Sequence, residues 1–540
     1  MAVRLVPLGG VGEFGANSLL VEAEGGEAVL VDVGAAFSEL EPFGVAYELP
    51  DFGALTGAEV RGILVTHGHD DHARGFAEAI AAFPTAEVAG SRATLARLQL
   101  AVDESPLEWQ RLAGGEALPL AGFQLEVASV SHSIPGTLAA RLQGEGGTLV
   151  VASDFRLAPS ALAEATEVET LARWGEEGVD LLLLDATNAL LPGPLPEEAT
   201  VASTIEGLVA AARGAVVGVT FASHVGRFRQ LARAAVACGR TVVPVGRGLE
   251  EALSLQAGLG GLDLPPGSIR SFRSLPRLPR EQLLLVVTGS QGEAGSVFPR
   301  VATDALPGFR LTAGDLVLHC ARVIPGSERR VADLLDHCVR RGARVVTQAE
   351  APVHVSGHPP QEELRRTIQL LRPRTVVPIH GRRRNLEGLA ELARSLGCRT
   401  AVVENGAELV CRRGEVAPSG VLRGVGRVLV GEAEGAVLDS VTVRQRRTLA
   451  RTGLIVASLA LARREGRVVG DPQLQCLGVE LPAGVRTGLL RDLAAEASRL
   501  AQERARDGES VRSTISRWLR SELRRRTGRR PSTVVLVSEC

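Results

Sequence analysis

Short runs of β-branched and leucine residues, each closed by a polar residue, punctuate the first third of the chain. Val29–Val33, Ile63–Val65, Thr148–Ala152 and Leu181–Leu184 are too short for buried helices and are bounded by turn residues, so they predict buried strands. The polar residue at or near each end is one that does chemistry: Asp32, Thr66 with His67, Asp154 and Asp185. Strand ends and the loops beyond them are where layered α/β proteins carry their sites.

From about Thr200 to Gln348 the pattern becomes a regular alternation. Helix 197–213, strand 216–220, helix 225–238 and strand 242–245 are followed by strands at 283–287, 316–318 and 345–347, which predicts a second, parallel sheet in an inserted domain. Helix 361–371, strand 375–379, a helix after Arg384 and strand 400–403 then return to complete the first domain. Beyond Glu404–Gly406 glycine and valine alternate before an arginine-rich helical stretch from Arg491 to Arg530, which predicts a small C-terminal α/β domain. The boundaries drawn are 1–200 and 360–435 for the two parts of the first domain, 201–359 for the insertion and 436–540 for the C-terminal domain.

Composition adds little to this picture. With 45% hydrophobic and 23% charged residues the chain is expected to fold throughout. No apolar run reaches the ~18 residues of a membrane span, and MAVRLVPLGG reads as a strand entering a glycine turn rather than a signal peptide, so a cytoplasmic protein with no membrane partner is expected. The seven cysteines show no CxxC pairing and are read as reduced thiols. Lysine is absent, so the basic side chains are arginines, and the formal net charge of −2 provides no global attraction for nucleic acid.

Chemistry concentrates in ILVTHGHDDH, where His67, His69, Asp71 and His72 fall within six residues after a buried strand. In an extended loop positions i and i+2 point the same way, so His67 and His69 suit one ion while Asp71 and His72 face a second. Imidazole with carboxylate suits zinc or manganese. His132, Asp154 and His380 each follow an apolar β-like run, where further ligands would stand. A weaker motif, PVHVSGHPPQEEL, offers a serine–glycine turn and flanking histidines suited to a phosphate, or equally to a helix cap.

Taken in order, Asp32, HGHDDH, His132, Asp154 and His380 match the metallo-β-lactamase pattern, and LGGVGEFGAN, LPDF, HSIPG, LLLDATNALLPG, TFASHVGR, TGSQGE, IPGSE, HVSGH and PIHG extend the match along the chain. The sequence resembles the ribonuclease J family of that superfamily. The resemblance implies a four-layer αββα metallo-β-lactamase domain, an inserted α/β β-CASP domain and a C-terminal α/β domain used in oligomerisation. It implies one ion on His67, His69 and His132, another on Asp71, His72 and His380, and Asp154 between them. Two divalent ions, Zn2+ or else Mn2+ or Mg2+, are expected to activate water and clamp a phosphoryl group, with Asp71 and Asp154 orienting the attacking oxygen. His358 is expected as leaving-group acid or phosphate stabiliser, with His354, Ser356 and Gly357 as phosphate contacts. Asp32 and Asp185 are expected to orient the ligands from behind.

The activity implied is 5′-to-3′ exonucleolytic cleavage of 5′-monophosphate RNA with some endonuclease activity, in RNA maturation and decay. The implied partners are RNA, further copies in a homodimer or homotetramer, and a second ribonuclease J-like subunit or RNA-degradation complex. The alternatives are a β-CASP nuclease acting on DNA, a weakly active RNA-binding scaffold and, last, a small-molecule hydrolase sharing HxHxDH. The chain departs from the family pattern at Gly136, His224 and Arg382 and in the stretch LHCARVIPGSE. His224, His319 and His337 are read as surface or turn residues, and the arginine runs 382–384 and 524–530 as solvated faces.

Overall fold

Consecutive residues of the first strands divide between two cores, which is the signature of a sheet covered on both faces. In a computed structural model of the chain, Val3, Leu5, Val29, Val31 and Leu64 join one buried cluster, while Val6, Leu8, Leu30, Ile63 and Val65 join another. The structure describes residues 2–539 apart from 56, 103–108, 159–163, 294, 325, 413–414, 432–435, 463–464, 466 and 504–507. Two compact units result, one of residues 1–36 and 48–427, the other of residues 37–47 and 428–540.

The larger unit holds an eight-stranded sheet in the order Glu415–Leu422, Ala407–Arg412, Val3–Gly9, Ser18–Glu22, Glu27–Val31, Glu59–Val65, Glu87–Ser91 and Trp109–Leu112. A seven-stranded sheet follows the order Ala117–Leu120, Phe123–Ser129, Leu138–Gly144, Gly147–Ala152, Leu181–Asp185, Thr375–Ile379 and Arg399–Thr400. Leu125, Val127, Leu149 and Val151 of the second sheet share a core with Val3, Leu5, Val29 and Val31 of the first. Helices Phe76–Ala82 and Arg92–Leu98 cover the first sheet through Phe76, Ala79, Leu95 and Leu98. Helices Val168–Glu177, Gln361–Leu371 and Arg383–Ser395 pack on the second through Leu171, Trp174, Leu364, Ile368, Leu386 and Leu389. The four layers αββα follow.

Between Leu181–Asp185 and its parallel neighbour Thr375–Ile379 the chain builds the inserted domain. Its five strands are parallel, in the order Thr241–Val245, Leu283–Val287, Val216–Val219, Leu316–His319 and Arg344–Val346. Alternation again sends Val217, Val243, Leu285 and Val317 to one face and Val216, Val242, Leu284 and Leu316 to the other. The second unit contains a sheet of Arg467–Leu477, Leu454–Ala462 and Ser532–Glu539 against helices Ala483–Glu503 and Gly508–Thr527. No helix among the described residues is long and apolar enough to cross a membrane.

Two local expectations need correction. The strand expected at 400–403 is only Arg399–Thr400, because ladder pairing with Thr375–Ile379 stops there and Val403 turns into the core. His224 and His319 are buried rather than on the surface: His224 caps helix Val225–Ala237 by accepting from the Arg227 N–H at 3.2 Å, and His319 Nε2 lies 2.9 Å from the Ser290 carbonyl.

Candidate metal centre

Strands from both sheets deliver the predicted ligands to one end of the αββα unit. His67 and His69 follow Glu59–Val65, and the chain then turns into the short helix Asp70–Ala73 that carries Asp71 and His72. Asp154 follows Gly147–Ala152, and His380 follows Thr375–Ile379. His380 and Asp32 stand at φ 55° and 61°, left-handed conformations that turn each side chain out of its strand at a local cost of ~1–3 kcal/mol. Close packing fixes the loops: a Cβ on Gly34 would lie 1.7 Å from the Asp71 carbonyl oxygen, and one on Gly357 would lie 2.7 Å from the His132 ring.

Two groups of donor atoms converge. His67, His69, His132 and Asp154 form one, and Asp71, His72 and His380 the other, each with ligand atoms within 4.8 Å of one another. His69 Nδ1 is 3.1 Å from His67 Nε2 and 3.2 Å from His132 Nε2. His380 Nε2 is 3.3 Å from Asp71 Oδ2. Asp154 faces both groups: Oδ2 lies 3.4 Å from His132 Nε2 and 3.7 Å from His67 Nε2, whereas Oδ1 lies 3.1 Å from His72 Nε2 and 3.6 Å from His380 Nε2.

The outer ring nitrogens are held by acceptors, which fixes the tautomers. His132 Nδ1 lies 2.9 Å from the Gly357 carbonyl, and His72 Nδ1 lies 2.7 Å from Asp32 Oδ2, so both nitrogens donate outward. The Thr66 hydroxyl donates to Asp32 at 2.9 Å, leaving its oxygen to accept from His67 Nδ1 at 3.1 Å. Thr187 does the same for His380: its hydroxyl donates to the His380 carbonyl and its oxygen accepts from Nδ1 at 2.7 Å. The Nε2 atoms of these four rings therefore point inward, beside Asp154 Oδ1, a buried oxygen with no hydrogen-bond partner among the described residues. Ring nitrogens and carboxylate oxygens gathered this closely are satisfied only in part by the Asn17 amide, 3.0 Å from His72 Nε2, and divalent cations would satisfy the rest; the residues fit the metal ions that the fold family implies.

Electrostatics agrees with that division. Burial lowers the pKa of His69 to about 3 and of His132 to about 4, and holds His67 well down, so these rings stay neutral. Burial also opposes charge on His72 and His380, but Asp154 and neighbouring carboxylates outweigh it, raising His380 to about 9 and His72 well above its ordinary value. Asp154 is itself buried, yet His380 and His72 hold it well below the carboxylate range.

The phosphate motif borders this centre. His358 Nδ1 lies 2.8 Å from Asp185 Oδ2 and 3.7 Å from Asp154 Oδ2, with its ring between those of His132 and His380. Ser356 Oγ accepts from the His358 backbone N–H at 3.2 Å. His354 lies deeper, buried against His224 with ring centroids 6.2 Å apart. Arg382 is exposed at the start of helix Arg383–Ser395, while Arg525 and Arg526 pair with Glu522 and Asp492. At Gly136 the φ is +76° and a Cβ would lie 2.3 Å from Ser91 Oγ, which accounts for glycine there.

Several supports were not assigned from the sequence. Asn17 places its amide nitrogen 3.0 Å from His72 Nε2 and 3.4 Å from Asp71 Oδ2. Thr187 and Asn188 act beside the expected Asp185, and Arg156 grips Glu363 through two nitrogens while donating to the Ser356 carbonyl at 2.8 Å. Asn17, Thr187 and Asn188 lie in LGGVGEFGAN and LLLDATN, motifs in which only Asp185 was singled out.

The chain is 33% identical over 536 residues to ribonuclease J of Mycolicibacterium smegmatis, covering 97% of this chain and 95% of that protein. The chain belongs to the ribonuclease J family. Ribonuclease J of Mycobacterium tuberculosis is 31% identical with the same coverage, and that of Synechocystis is 31% identical over 91% of this chain and 78% of its own. Family models match in the order metallo-beta-lactamase superfamily (11–154), ribonuclease J beta-CASP domain (213–338), Zn-dependent metallo-hydrolase RNA specificity domain (342–403) and ribonuclease J C-terminal domain (441–540). A crystal structure of a protein of unknown function from Enterococcus faecalis shares the fold, with a TM-score of 0.54 at 16% identity, over 76% of this chain and all of that one. As a member of the ribonuclease J family the chain is a metal-dependent nuclease, and the buried histidine–aspartate cluster is its candidate metal centre.

Proposed function

We propose that this nuclease degrades 5′-monophosphate RNA from the 5′ end, with some internal cleavage, in RNA maturation and decay. One observation carries the reading: seven side chains from distant segments bring their donor atoms together in two groups that share Asp154. The relatives' name, ribonuclease J, and the RNA specificity model support RNA as substrate.

One divalent ion is assigned to His67, His69 and His132 and a second to Asp71, His72 and His380, with Asp154 serving both; zinc is the first choice for this donor set, manganese or magnesium the others. Such a pair, when bound, supplies Lewis acidity to a phosphate oxygen and acidifies water. Asp71 and Asp154 orient the attacking oxygen. Ser356 and Gly357, with His354 behind them, line the phosphate position. His358, with Nδ1 donating to Asp185, leaves Nε2 free to carry a second proton, and the imidazolium so formed would stabilise the phosphate or pass that proton to the departing oxygen. Asp32 and Asp185 hold the histidines in their productive tautomers. Assembly as a homodimer or homotetramer, alone or with a second ribonuclease J-like subunit in a degradation complex, completes the proposal.

The test is incubation of the metal-loaded protein with matched end-labelled RNA and DNA carrying a 5′-monophosphate. Mononucleotides released from RNA, and turnover lost at least ~1,000-fold in His69→Ala with the fold retained, are expected. Intact RNA in both zinc and manganese, or cleavage of DNA alone, overturns the reading.

A further inference from the structure

Two arginines border the loop that carries Ser356 and His358, and their surroundings differ in kind. Arg156 is buried and neutralised, since Glu363 takes its Nε and Nη2 and the Ser356 carbonyl takes Nη1. It is a strut. Arg322 comes from the inserted domain, three residues past strand Leu316–His319, and stays exposed. Its Nη1 donates to Asn188 Oδ1, a neutral acceptor. Among the described residues it makes no other side-chain hydrogen bond and no ion pair with a carboxylate.

The anchoring of Arg322 is complete on both sides. Buried Gln291 donates to the Arg322 carbonyl at 2.8 Å and accepts from the Ile324 N–H at 2.7 Å, so the backbone is held in place. Asn188, also buried, spends both amide hydrogens at 3.0 Å, one on Ser356 Oγ and one on the His358 carbonyl, leaving only its oxygen for the guanidinium. One of five N–H donors is thereby used to aim the fork, and the others are left without an acceptor among the described residues. A positive charge fixed beside the phosphate loop and ion-paired with no carboxylate among the described residues is the arrangement that takes an oxyanion in bidentate fashion. Desolvation lowers the Arg322 pKa, against the attraction of Asp185.

We propose that Arg322 is a substrate-binding residue of this nuclease, a fork held by Asn188 that grips a phosphate of the RNA strand beside His358. The inference rests on the reading of the chain as an RNA nuclease and adds to it a cation supplied by the inserted domain. The phosphate is either the terminal monophosphate or a phosphodiester of the backbone, which share the same oxyanion chemistry.

The experiment compares wild type, R322Q and R322K on one RNA sequence bearing either a 5′-monophosphate or a 5′-hydroxyl. KM, kcat and the dependence of affinity on salt are measured, with melting temperature and bound zinc as controls of the fold. For R322Q the expected result is a KM raised about tenfold with kcat within about threefold, and a salt slope reduced by about 1. R322K keeps the slope while losing part of the affinity, since the charge stays and the fork goes. A loss confined to the 5′-monophosphate substrate assigns the terminal phosphate, and an equal loss on both assigns a backbone phosphate. If wild type cleaves RNA while R322Q equals it in KM and slope, or loses only kcat, this inference is overturned and the nuclease reading stands. Absence of cleavage by wild type overturns that reading and this inference with it.

Discussion

Asp32 shows how much one carboxylate outside the metal centre can decide. It accepts from the Thr66 N–H at 2.8 Å, from the Thr66 hydroxyl and from His72 Nδ1, so a single side chain sets the tautomers of His67 and His72 together. Asp32→Asn puts an amide NH2 or a lone acceptor where two donors now meet, and one histidine must turn or change tautomer. A 10–100-fold loss of zinc affinity with little change in melting temperature of the cation-free protein is expected, read by competition with a chelating dye. Unchanged affinity would remove Asp32 from this role. The side chains that converge here, the proposed ligands, were legible because histidine and aspartate crowd into HGHDDH and recur after apolar runs. The threonines were not, because a threonine at a strand end is also an ordinary β-former.

Elements divide in the same way. Strands Leu283–Val287 and Thr375–Ile379 and helix Gln361–Leu371 could be placed in the sequence to the residue, because each is a continuous β-branched run or a clean helical period between turns. Sheet order could not. Ala407–Arg412 pairs with Val3–Gly9 across some four hundred residues, Val3 opposite Cys411, and no local pattern records such a partner. Close approach between helices is equally silent until the backbone is seen. Gly175 in Val168–Glu177 has room for no side chain, since a Cβ there would lie 2.0 Å from the Leu370 carbonyl oxygen of Gln361–Leu371. Gly175→Ala is expected to part the two helices and destabilise the protein by ~1–3 kcal/mol, seen as a lower denaturant midpoint. Wild-type stability would show that the contact yields at no cost.

At the scale of the molecule, the metal centre links folding to pH. His380, raised to about 9, and His72, also raised, hold protons in the cation-free fold that the unfolded chain begins to lose near pH 6.5. Their contribution is complete below about 6.5 and is lost as pH rises through about 9. Protein treated with chelator should therefore melt at a falling temperature across that window. With zinc the trend reverses, because the cation displaces those protons and binds more tightly as they become scarce. Calorimetric melting at intervals from pH 6 to 9, with chelator and with zinc, checks this; parallel curves would contradict it.

The position of His380 bears on synthesis as well as catalysis. Six of the seven proposed ligands precede the insertion, ending at Asp154, but the last arrives only after the whole insertion, just beyond a strand that pairs directly with Leu181–Asp185. A ribosome that stalls inside the insertion presents a fragment lacking both His358 and His380, and lacking one of the two strands that flank each of Val3–Gly9 and Leu181–Asp185. A product truncated there would thus lack two of the groups that the proposed chemistry uses, and would gain them only once the chain has run past His380.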